Sequence, residues 1–326
     1  MRARNSMQGL GAWLSRFKSF PGTTSYRIDI GDYQLASDSA ATQFFVASSI
    51  KTFILCQYLR DVEAGVLSED EQLAVNDSVR AAASPLLLEL TGTTPARSIL
   101  EAMITHSDNT ATDIALLRVG PDRVRSLIAE LRLCATRIPD STRRFFSYNV
   151  GAPFGADIGW SGVQAVLESG TTLGPPHRPL NDEETLAGSA DDFVSYYKQA
   201  LAGNLFRRRS TLSEFKRILL TNTFFPDDTV GYGKGGSGDW VAESTVVGDF
   251  HAISYAGQMV VDATPVTFCF IVNWTSEDPQ STSEDLIPAF TEVVKGSMGV
   301  VKDFLRRRAR KDNASQARDC ENGVRF

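Results

Sequence analysis

The sequence predicts an α/β protein of the α+β type, in which an antiparallel sheet built from both chain ends is flanked by helices and adjoins an all-helical lobe. Three observations support this prediction. Strand-like segments occur after residue 24 and again after residue 238, helical apolar spacing fills the middle of the chain, and a helical pattern follows the last strand. We therefore expect one domain over 25–305, preceded by an N-terminal helix or arm over 1–24.

The sheet lobe is expected to comprise residues 25–65 and 221–305. Near its start, "SYRIDIGDYQLASDS" predicts two strands joined by a hairpin turn at Gly31-Asp32. Near its end, three segments rich in β-branched and aromatic residues predict an antiparallel meander, namely "DWVAESTVV", "FHAISYAGQMVV" and "PVTFCFIVNW". A final helix is predicted over about 284–306.

The helical lobe is expected to span about 66–220. Helices are predicted in "PLLLELTG", "ARSILEAMITH", "TATDIALLRVG", "DRVRSLIAELRL", "SADDFVSYYKQALAG" and "TLSEFKRILLTN". In the fifth of these, Ser189 is the N-cap candidate and Gly203 stands after the helix end. Residues 141–188 are instead rich in Gly, Pro, Ser and aromatic residues, which predicts a long loop that is either a functional lid or an unrecognised element.

Charge and composition exclude several classes of function. A net charge of −6 and a pI near 5.3 provide no basic field for nucleic acid. No segment approaches the roughly 20 apolar residues that span a bilayer. Since "MRARNSMQGLGAWLSRFKSF" lacks the apolar run and cleavage site of a signal peptide, we expect a cytoplasmic protein, or a periplasmic or secreted one if the chain is trimmed. The basic tail over 306–326 is expected to be disordered.

Cysteine and histidine usage gives no metal-ligand spacing. The four cysteines occur without a C-x-x-C pair and are expected to be reduced and mostly buried: Cys56, Cys134, Cys269 and Cys320. His106 and His251 have no partner that the sequence identifies, so we interpret both as structural. No metal and no other cofactor is expected, and the chain is expected to be a monomer or a simple homo-oligomer.

The segment "FVASSIKTFIL" places Ser48 three residues before Lys51 at the predicted start of a helix. A serine hydroxyl is a poor nucleophile until a base removes its proton, and a lysine can do so only if its pKa is lowered. Positions i and i+3 share a helix face, and burial near a helix N-terminus favours the neutral amine. The pattern therefore predicts a nucleophile with its base, although S-x-x-K alone is also a common chance occurrence.

Two further motifs follow along the chain. In "MITHSDNTATD", Ser107-Asp108-Asn109 separates two helical patterns, and Asn109 or Thr110 is a candidate cap for the second helix. In "GYGKGGSGDW", Lys234 precedes glycines that permit a ligand to approach the backbone closely.

Together the three motifs resemble those of the penicillin-recognising serine hydrolases, the class A β-lactamases and their penicillin-binding-protein relatives, which carry S-x-x-K, S-D-N and K-T-G. The surrounding segments "GVLSEDEQLAV" and "ILEAMITHSDNTATDIAL" are similar to the same family. The resemblance covers about residues 25–305 and is most specific over 44–120. It implies a β-lactamase/transpeptidase-like fold.

The resemblance also implies roles for the matching residues. Ser48 would be the acylated nucleophile and Lys51 its general base. Ser107 would relay a proton to the leaving group, and Asn109 would hold a substrate amide. Lys234 would set the electrostatics and anchor a substrate carboxylate.

The resemblance further implies an oxyanion hole made by the backbone N–H groups of Ser48 and Ser237, worth about 3 kcal/mol per donor. Here the sequence departs from the family pattern, because Gly235 replaces the hydroxyl residue of K-T-G. Ser237, two positions later, is a candidate to supply the missing hydrogen bond. Gly236 and Ser237 are accordingly predicted to line the substrate site.

A second departure concerns deacylation. Class A β-lactamases carry an E-x-x-L-N element whose glutamate activates water, whereas the best counterpart here is "HRPLN", with His177 in the glutamate position and Leu180-Asn181 after it. His177 is either that base or an exposed loop residue. The extra length over 141–175 is either a surface flap or part of the cleft, with candidates for substrate contact or an alternative base at Tyr148, Asp157, Trp160 and Glu168.

The leading hypothesis is therefore a serine hydrolase that forms an acyl-enzyme on a β-lactam, amide or ester carbonyl of a small molecule. A cytoplasmic biosynthetic amidase, esterase or transacylase on the same scaffold is an alternative. A third possibility is a binding protein that senses its ligand by acylation and deacylates slowly, which the missing glutamate favours.

Overall fold

A computed structural model of the protein describes residues 2–241, 249–276, 278 and 281–322. The helices are α1 (Arg2–Lys18), α2 (Lys51–Glu63), α3 (Ala96–Thr105), α4 (Asn109–Val119), α5 (Pro121–Glu130), α6 (Thr142–Asn149), α7 (Gly159–Ser169), α8 (Ala190–Ala202), α9 (Arg209–Leu219) and α10 (Ser283–Asn322). The strands are β1 (Thr23–Ile30), β2 (Tyr33–Asp38), β3 (Phe44–Phe45), β4 (Gln72–Val75), β5 (Gly92–Pro95), β6 (Ala187–Gly188), β7 (Val230–Trp240), β8 (Phe250–Val261) and β9 (Thr264–Thr275).

Five strands form one antiparallel sheet in the order β2-β1-β9-β8-β7, so both ends of the chain contribute to it. The predicted hairpin at Gly31-Asp32 joins β1 to β2, and Gly31 adopts a left-handed φ of 55° that suits a tight turn. The sheet with its flanking helices confirms the predicted fold class.

The two faces of the sheet belong to two apolar cores. On one face α1 and α10 pack against the strands, where the ring of Phe17 lies 5.1 Å from that of Phe270 and 5.9 Å from that of Phe290. On the other face α8 leads into the helical lobe. There α2 is buried almost all round, and Phe53 packs 4.5 Å from the ring of Tyr196 in α8. α2 thus lies among the helices, which corrects its assignment to a sheet lobe over 25–65.

The helical lobe also contains a small two-stranded sheet, β4–β5. The segment "PLLLELTG", residues 85–92, was expected to be helical, but it forms turns that lead into β5. The physical reason is a buried arginine. The Arg80 guanidinium donates hydrogen bonds to the carbonyls of Leu87, Leu88 and Leu90, which removes those carbonyls from any helix.

Two helices, α6 and α7, lie in the stretch 141–188, which the sequence predicts to be a long loop that is either a functional lid or an unrecognised element. Ser141 caps α6 by accepting a hydrogen bond from the Arg144 N–H, and Gly170 ends α7 in the left-handed conformation. The region therefore contains two short helices rather than a continuous loop, although its aromatic and glycine content is typical of a loop.

Strand β7 includes the glycine-rich segment and begins at Val230, nine residues before the predicted strand. Glycine has a low β propensity, but here close packing requires it: a Cβ at Gly231 would lie 2.2 Å from the Phe225 ring. Most of the predicted strand "DWVAESTVV" falls on 242–248, outside the described residues.

The last helix is longer than predicted. α10 continues to Asn322, which corrects the expectation of disorder over residues 306–322, while 323–326 lie outside the described residues. Arginine, lysine and alanine dominate the extension, and these residues have high helix propensity.

Within the described residues, no helix has both the length and the hydropathy of a membrane-spanning segment. Cys56 and Cys269 are buried free thiols and Cys134 is an exposed one, which fits the expectation of mostly buried cysteines. The Cys320 side chain lies outside the described part.

A buried carboxylate joins β1 to α8. Asp29 is fully buried, accepts two hydrogen bonds from Arg27 at 2.8 and 2.9 Å, and lies 2.9 Å from Lys198 Nζ. Replacing Asp29 by asparagine should lower the free energy of unfolding by about 3 kcal/mol, because both cations lose their buried partner. Urea denaturation measures this change. As a control, Asp32→Asn removes a fully exposed carboxylate 3.9 Å from Lys198 Nζ and should leave the transition in place.

Candidate functional site

Ser48 lies half-buried in a 3₁₀ turn, Ala47–Ile50, that leads directly into α2. In a 3₁₀ turn positions i and i+3 are eclipsed, so Ser48 and Lys51 face the same side. Ala47, immediately before the serine, has a φ of 47°, a left-handed conformation that is unfavourable for a residue with a Cβ. Such strain in a buried segment is characteristic of functional sites.

Lys51 is completely buried at the first position of α2. Its Nζ donates hydrogen bonds to the Ser107 carbonyl at 2.6 Å, to Ser107 Oγ at 3.2 Å and to Asn109 Oδ1 at 2.7 Å. Within the described part of the chain, the contacts of this amine are thus with the Ser107–Asn109 segment rather than with Ser48 Oγ. These hydrogen bonds bring the S-x-x-K and S-D-N motifs together in one site. Such proximity is required if the two motifs act together.

Burial lowers the pKa of Lys51 well below its ordinary value, and the nearby charge of Lys234 lowers it further. The carboxylates of Asp108 and Asp113 act in the opposite direction. A lysine with a lowered pKa can exist as the neutral amine that proton abstraction requires.

The Ser107-Asp108-Asn109 segment is held by its central carboxylate. Asp108 is the N-cap of α4 and accepts the Ala111 N–H at 2.8 Å, a role that the sequence analysis gave to Asn109 or Thr110. Its second oxygen accepts the N–H groups of Leu86 and Leu87, each at 2.9 Å. Asp108 thus links the turn at Leu86 and Leu87 to the Ser107–Asn109 segment that binds Lys51.

Asn109 lies beside this carboxylate with both ends of its amide engaged. Oδ1 accepts from Lys51, and Nδ2 donates to the Ala82 carbonyl at 2.9 Å. Ser107 itself has a φ of 56°, a second left-handed conformation in a residue with a side chain.

Lys234 approaches from β7 on the opposite side of Ser107. Its Nζ donates to Ser107 Oγ at 3.0 Å and to the Gly235 carbonyl at 2.6 Å. Burial lowers the pKa of Lys234 to about 7. The Ser107 hydroxyl therefore lies between two buried lysine amines, and neither amine forms an ion pair with a carboxylate in the described part of the protein.

The backbone of β7 packs directly on the Ser48 turn. A Cβ at Gly236 would lie 2.4 Å from Ser48 N and 2.6 Å from the Val46 carbonyl, so only glycine fits there. Ser237, the next residue, is exposed at the sheet edge.

Two buried hydroxyls that the sequence analysis did not single out tie the same elements together. Ser49 Oγ lies 2.8 Å from Ser254 Oγ and donates to the Lys234 carbonyl, and Ser254 Oγ donates to the Val46 carbonyl at 2.7 Å. No local sequence signal marks Ser254, because its partners are about 200 residues away along the chain.

A small cavity of about 230 Å³ opens beside Lys234. The end of α3, the segment after α9 and strand β7 enclose it, and three threonines contribute to its wall: Thr105, Thr221 and Thr223. This space adjoins Lys234 and is large enough for a small polar group.

The deacylation candidates contact residues other than those of the three motifs. The His177 ring stacks on Tyr148 at 3.8 Å, and its backbone exchanges hydrogen bonds with Asn149. Asn181 organises a turn by accepting the N–H groups of Glu183 and Glu184.

The other candidates of the 141–175 region serve that region itself or face solvent. Asp157 forms a bidentate ion pair with Arg143 at 2.6 and 2.7 Å. Trp160 is half-buried and Glu168 exposed on α7.

The remaining histidines differ in their surroundings. His106 is exposed at the end of α3. His251 is buried, with Nδ1 2.6 Å from Asp239 Oδ1 and Nε2 2.9 Å from the Ser276 carbonyl. No group of three or more His, Cys, Asp or Glu residues in the described ranges is arranged to hold a metal ion.

A family model described as "Beta-lactamase enzyme family" matches residues 8–227. No curated protein matches the chain in sequence. Among solved structures, a β-lactamase from Sphaerobacter thermophilus shares 16% identity with a TM-score of 0.64, covering 90% of this chain and 96% of that one.

Two further structures show the same fold. A β-lactamase from Xanthomonas campestris pv. campestris shares 14% identity with a TM-score of 0.66, covering 92% of this chain and 98% of that one. The protein PBP-A shares 17% identity with a TM-score of 0.62, covering 90% and 96%. A PBP-A variant was solved as an acyl-enzyme complex with penicillin G, and this chain is 18% identical to it.

Proposed function

Because the chain belongs to the beta-lactamase enzyme family, we propose that it is a serine hydrolase in which Ser48 is acylated by the carbonyl of a β-lactam, amide or ester. One observation carries the proposal. The Ser107 hydroxyl lies 3.2 Å from Lys51 Nζ and 3.0 Å from Lys234 Nζ, beside a strained turn that presents Ser48. Two buried amines around one hydroxyl form a path on which a proton can be taken up and returned.

In this proposal Lys51 takes the proton of Ser48 as the hydroxyl attacks the carbonyl, and Ser107 returns a proton to the leaving group. The acyl-oxygen bond forms on Ser48 Oγ while the bond to the leaving nitrogen or oxygen breaks. The N–H groups of Ser48 and Ser237 stabilise the oxyanion, which is consistent with the tight packing of Gly236 on the turn.

The substrate in this proposal carries a carboxylate. Lys234 is buried without an acidic partner among the described residues, and a buried ammonium group without a counter-ion is unfavourable. A substrate carboxylate supplies the counter-ion. Gly235 brings no hydroxyl, so the hydroxyls of Thr221, Thr223 or Ser237 complete its hydrogen bonds.

Slow deacylation is the second part of the proposal. The carboxylates that act on Lys51, those of Asp108 and Asp113, already accept backbone N–H groups, and burial raises the pKa of Asp113 to about 6. His177 is stacked on Tyr148. Because these carboxylates and His177 are engaged elsewhere, Lys51 is left as the base for both steps and no separate glutamate activates water, so we expect a long-lived acyl-enzyme. This feature also suits a sensor, or a transacylase that passes the acyl group to an amine.

The charge of Lys234 leads to a pH prediction. With a pKa of about 7 in the free enzyme, Lys234 is protonated below that pH and loses its charge above it. For a substrate with a carboxylate, kcat/KM for acylation should fall as pH rises through about 7. Stopped-flow measurement of the acylation rate from about pH 5.5 to about pH 9 tests this prediction, and the expected fall in kcat/KM is on the order of tenfold. A neutral ester without a carboxylate is the control and should not show the fall; equal profiles would remove Lys234 as the carboxylate anchor.

Intact-protein mass spectrometry after brief incubation with a penicillin and with a cephalosporin tests the proposal, with Ser48→Ala as the control. A stable adduct on the wild type alone supports acylation of Ser48 with slow deacylation. Consumption of the β-lactam by the wild type without an adduct supports the hydrolase but contradicts slow deacylation. Neither an adduct nor consumption, with β-lactams and activated esters alike, overturns the proposed function.

A further inference from the structure

A second cavity is lined by residues other than those of the Ser48 site. Its volume is about 930 Å³, and its walls come from one side of α5, the segment 131–140 and the segment before β6. None of the motif residues around Ser48 lines it. A cavity of this size is within the range of small-molecule binding sites.

The interior of this cavity is apolar. Ile128, Leu133 and Ile138 are almost completely buried and form its floor. Phe154 lies at the rim with 62% of its surface exposed. An exposed aromatic ring beside an apolar floor offers contact area to an apolar ligand group.

Most charged residues of the rim are already paired. Arg125 binds Asp140 at 2.5 Å, and Arg137 lies 3.3 Å from Asp182. Glu184 is a further paired residue, since Arg144 lies 3.6 Å from its carboxylate.

Two charged residues of the rim remain, Arg132 and Glu183. Both side chains are exposed, and within the described ranges neither forms an ion pair. The cavity therefore presents one unpaired cation and one unpaired anion beside an apolar floor. This set of groups complements a zwitterion that carries an apolar part.

The backbone at Arg132 adds an independent observation. Its φ is 56°, at the end of α5, where glycine is the residue with least strain. The chain thus carries a guanidinium at a position where the backbone alone favours glycine. A ligand-binding role for this side chain accounts for an arginine there.

We propose that this cavity is a second binding site, and that its ligand is an apolar amino acid or short peptide with free termini. The ligand carboxylate binds Arg132, the ammonium binds Glu183, and the apolar side chain packs on Leu133 and Phe154. The proposal is independent of the function assigned to Ser48.

Isothermal titration calorimetry of the full chain tests this proposal, with leucyl-phenylalanine as the probe. The Ser48→Ala background prevents turnover of the probe. The N-acetylated and the C-amidated dipeptides each remove one terminal charge. Arg132→Gly removes the guanidinium at a position where glycine suits the backbone, Glu183→Gln removes the carboxylate, and Arg209→Gln is the control on an exposed arginine outside the cavity.

We expect the unmodified dipeptide to bind, and both blocked dipeptides and both cavity variants to bind about tenfold or more weakly. The Arg209→Gln control should bind like its parent, and Arg132→Gly should melt at or above the parent's temperature. Three results would overturn the proposal: no binding at millimolar concentration, binding that Arg132→Gly leaves unchanged, or equal binding of the N-acetylated dipeptide.

Discussion

Replacing Lys51 by alanine is expected to lower the rate of Ser48 acylation by about three orders of magnitude. The lysine is the only amine that the turn before α2 places on the same side as Ser48 among the described residues, and burial together with Lys234 lowers its pKa. Without it, no group at this position takes the serine proton. Burst kinetics with a chromogenic cephalosporin or an activated ester measures the change.

The variant also leaves three buried acceptors on Ser107 and Asn109 without their donor, so a lost fold has to be separated from a lost base. Lys51→Met restores the side-chain volume but not the amine, and Lys51→Arg restores a donor that cannot act as a base. Both should acylate as poorly as the alanine variant while their circular dichroism matches the wild type. Acylation at the wild-type rate in a folded variant of this set contradicts a role for Lys51 as base.

Replacing Gly236 by alanine is expected to reduce acylation by about 100-fold. The added Cβ would lie 2.4 Å from Ser48 N and 2.6 Å from the Val46 carbonyl, and both neighbours are backbone atoms that cannot rotate away. Either β7 or the Ser48 turn has to move, which displaces the serine relative to Lys234. Acylation kinetics of the purified variant, with its melting temperature recorded alongside, measures the effect.

Gly235→Ala is the matched control. Its Cβ would point to the other side of β7, 3.0 Å from the Tyr255 ring, and would not contact the Ser48 turn. We expect Gly235→Ala to lose stability but to retain most of its acylation rate. Similar kinetics in the two variants would mean that contact between β7 and the turn does not position Ser48.

Local signals were sufficient for several elements of the fold. The turn at Gly31-Asp32 and the caps of α8 at Ser189 and Gly203 lie where the sequence predicts them. Each depends on the preference of one or two residues for a backbone conformation, so a short window of sequence contains the necessary information.

Other elements depend on partners far along the chain. Residues 85–92 have the apolar content of a helix, but Arg80 binds their carbonyls. The glycines of β7 have poor strand propensity, yet the pairing with β8 and the packing on Phe225 require them. In both cases tertiary contacts outweigh local propensity.

The site shows the same division. Two of the motifs are local: the spacing of Ser48 and Lys51, and the S-D-N tripeptide. The sequence alone is sufficient to identify both as candidates. The sequence did not indicate that Asp108, rather than Asn109 or Thr110, caps α4, although aspartate is equally favoured at that position. His177 was a candidate base by its position in "HRPLN", but its ring stacks on Tyr148.

By itself, the sequence determined the fold class and the family resemblance, because periodicity and short motifs depend on residues that are close along the chain. It also supplied the candidate site residues Ser48, Lys51, Ser107, Asn109 and Lys234, whose roles stay predictions. Only the tertiary structure decided that one hydroxyl, Ser107 Oγ, lies between two buried amines without carboxylate partners. A pKa depends on burial and on charges that approach through space. Burial lowers the pKa of both lysines, and the charge of Lys234 lowers that of Lys51 further. Lys51 and Lys234 are 183 residues apart in sequence, so no local pattern contains this environment.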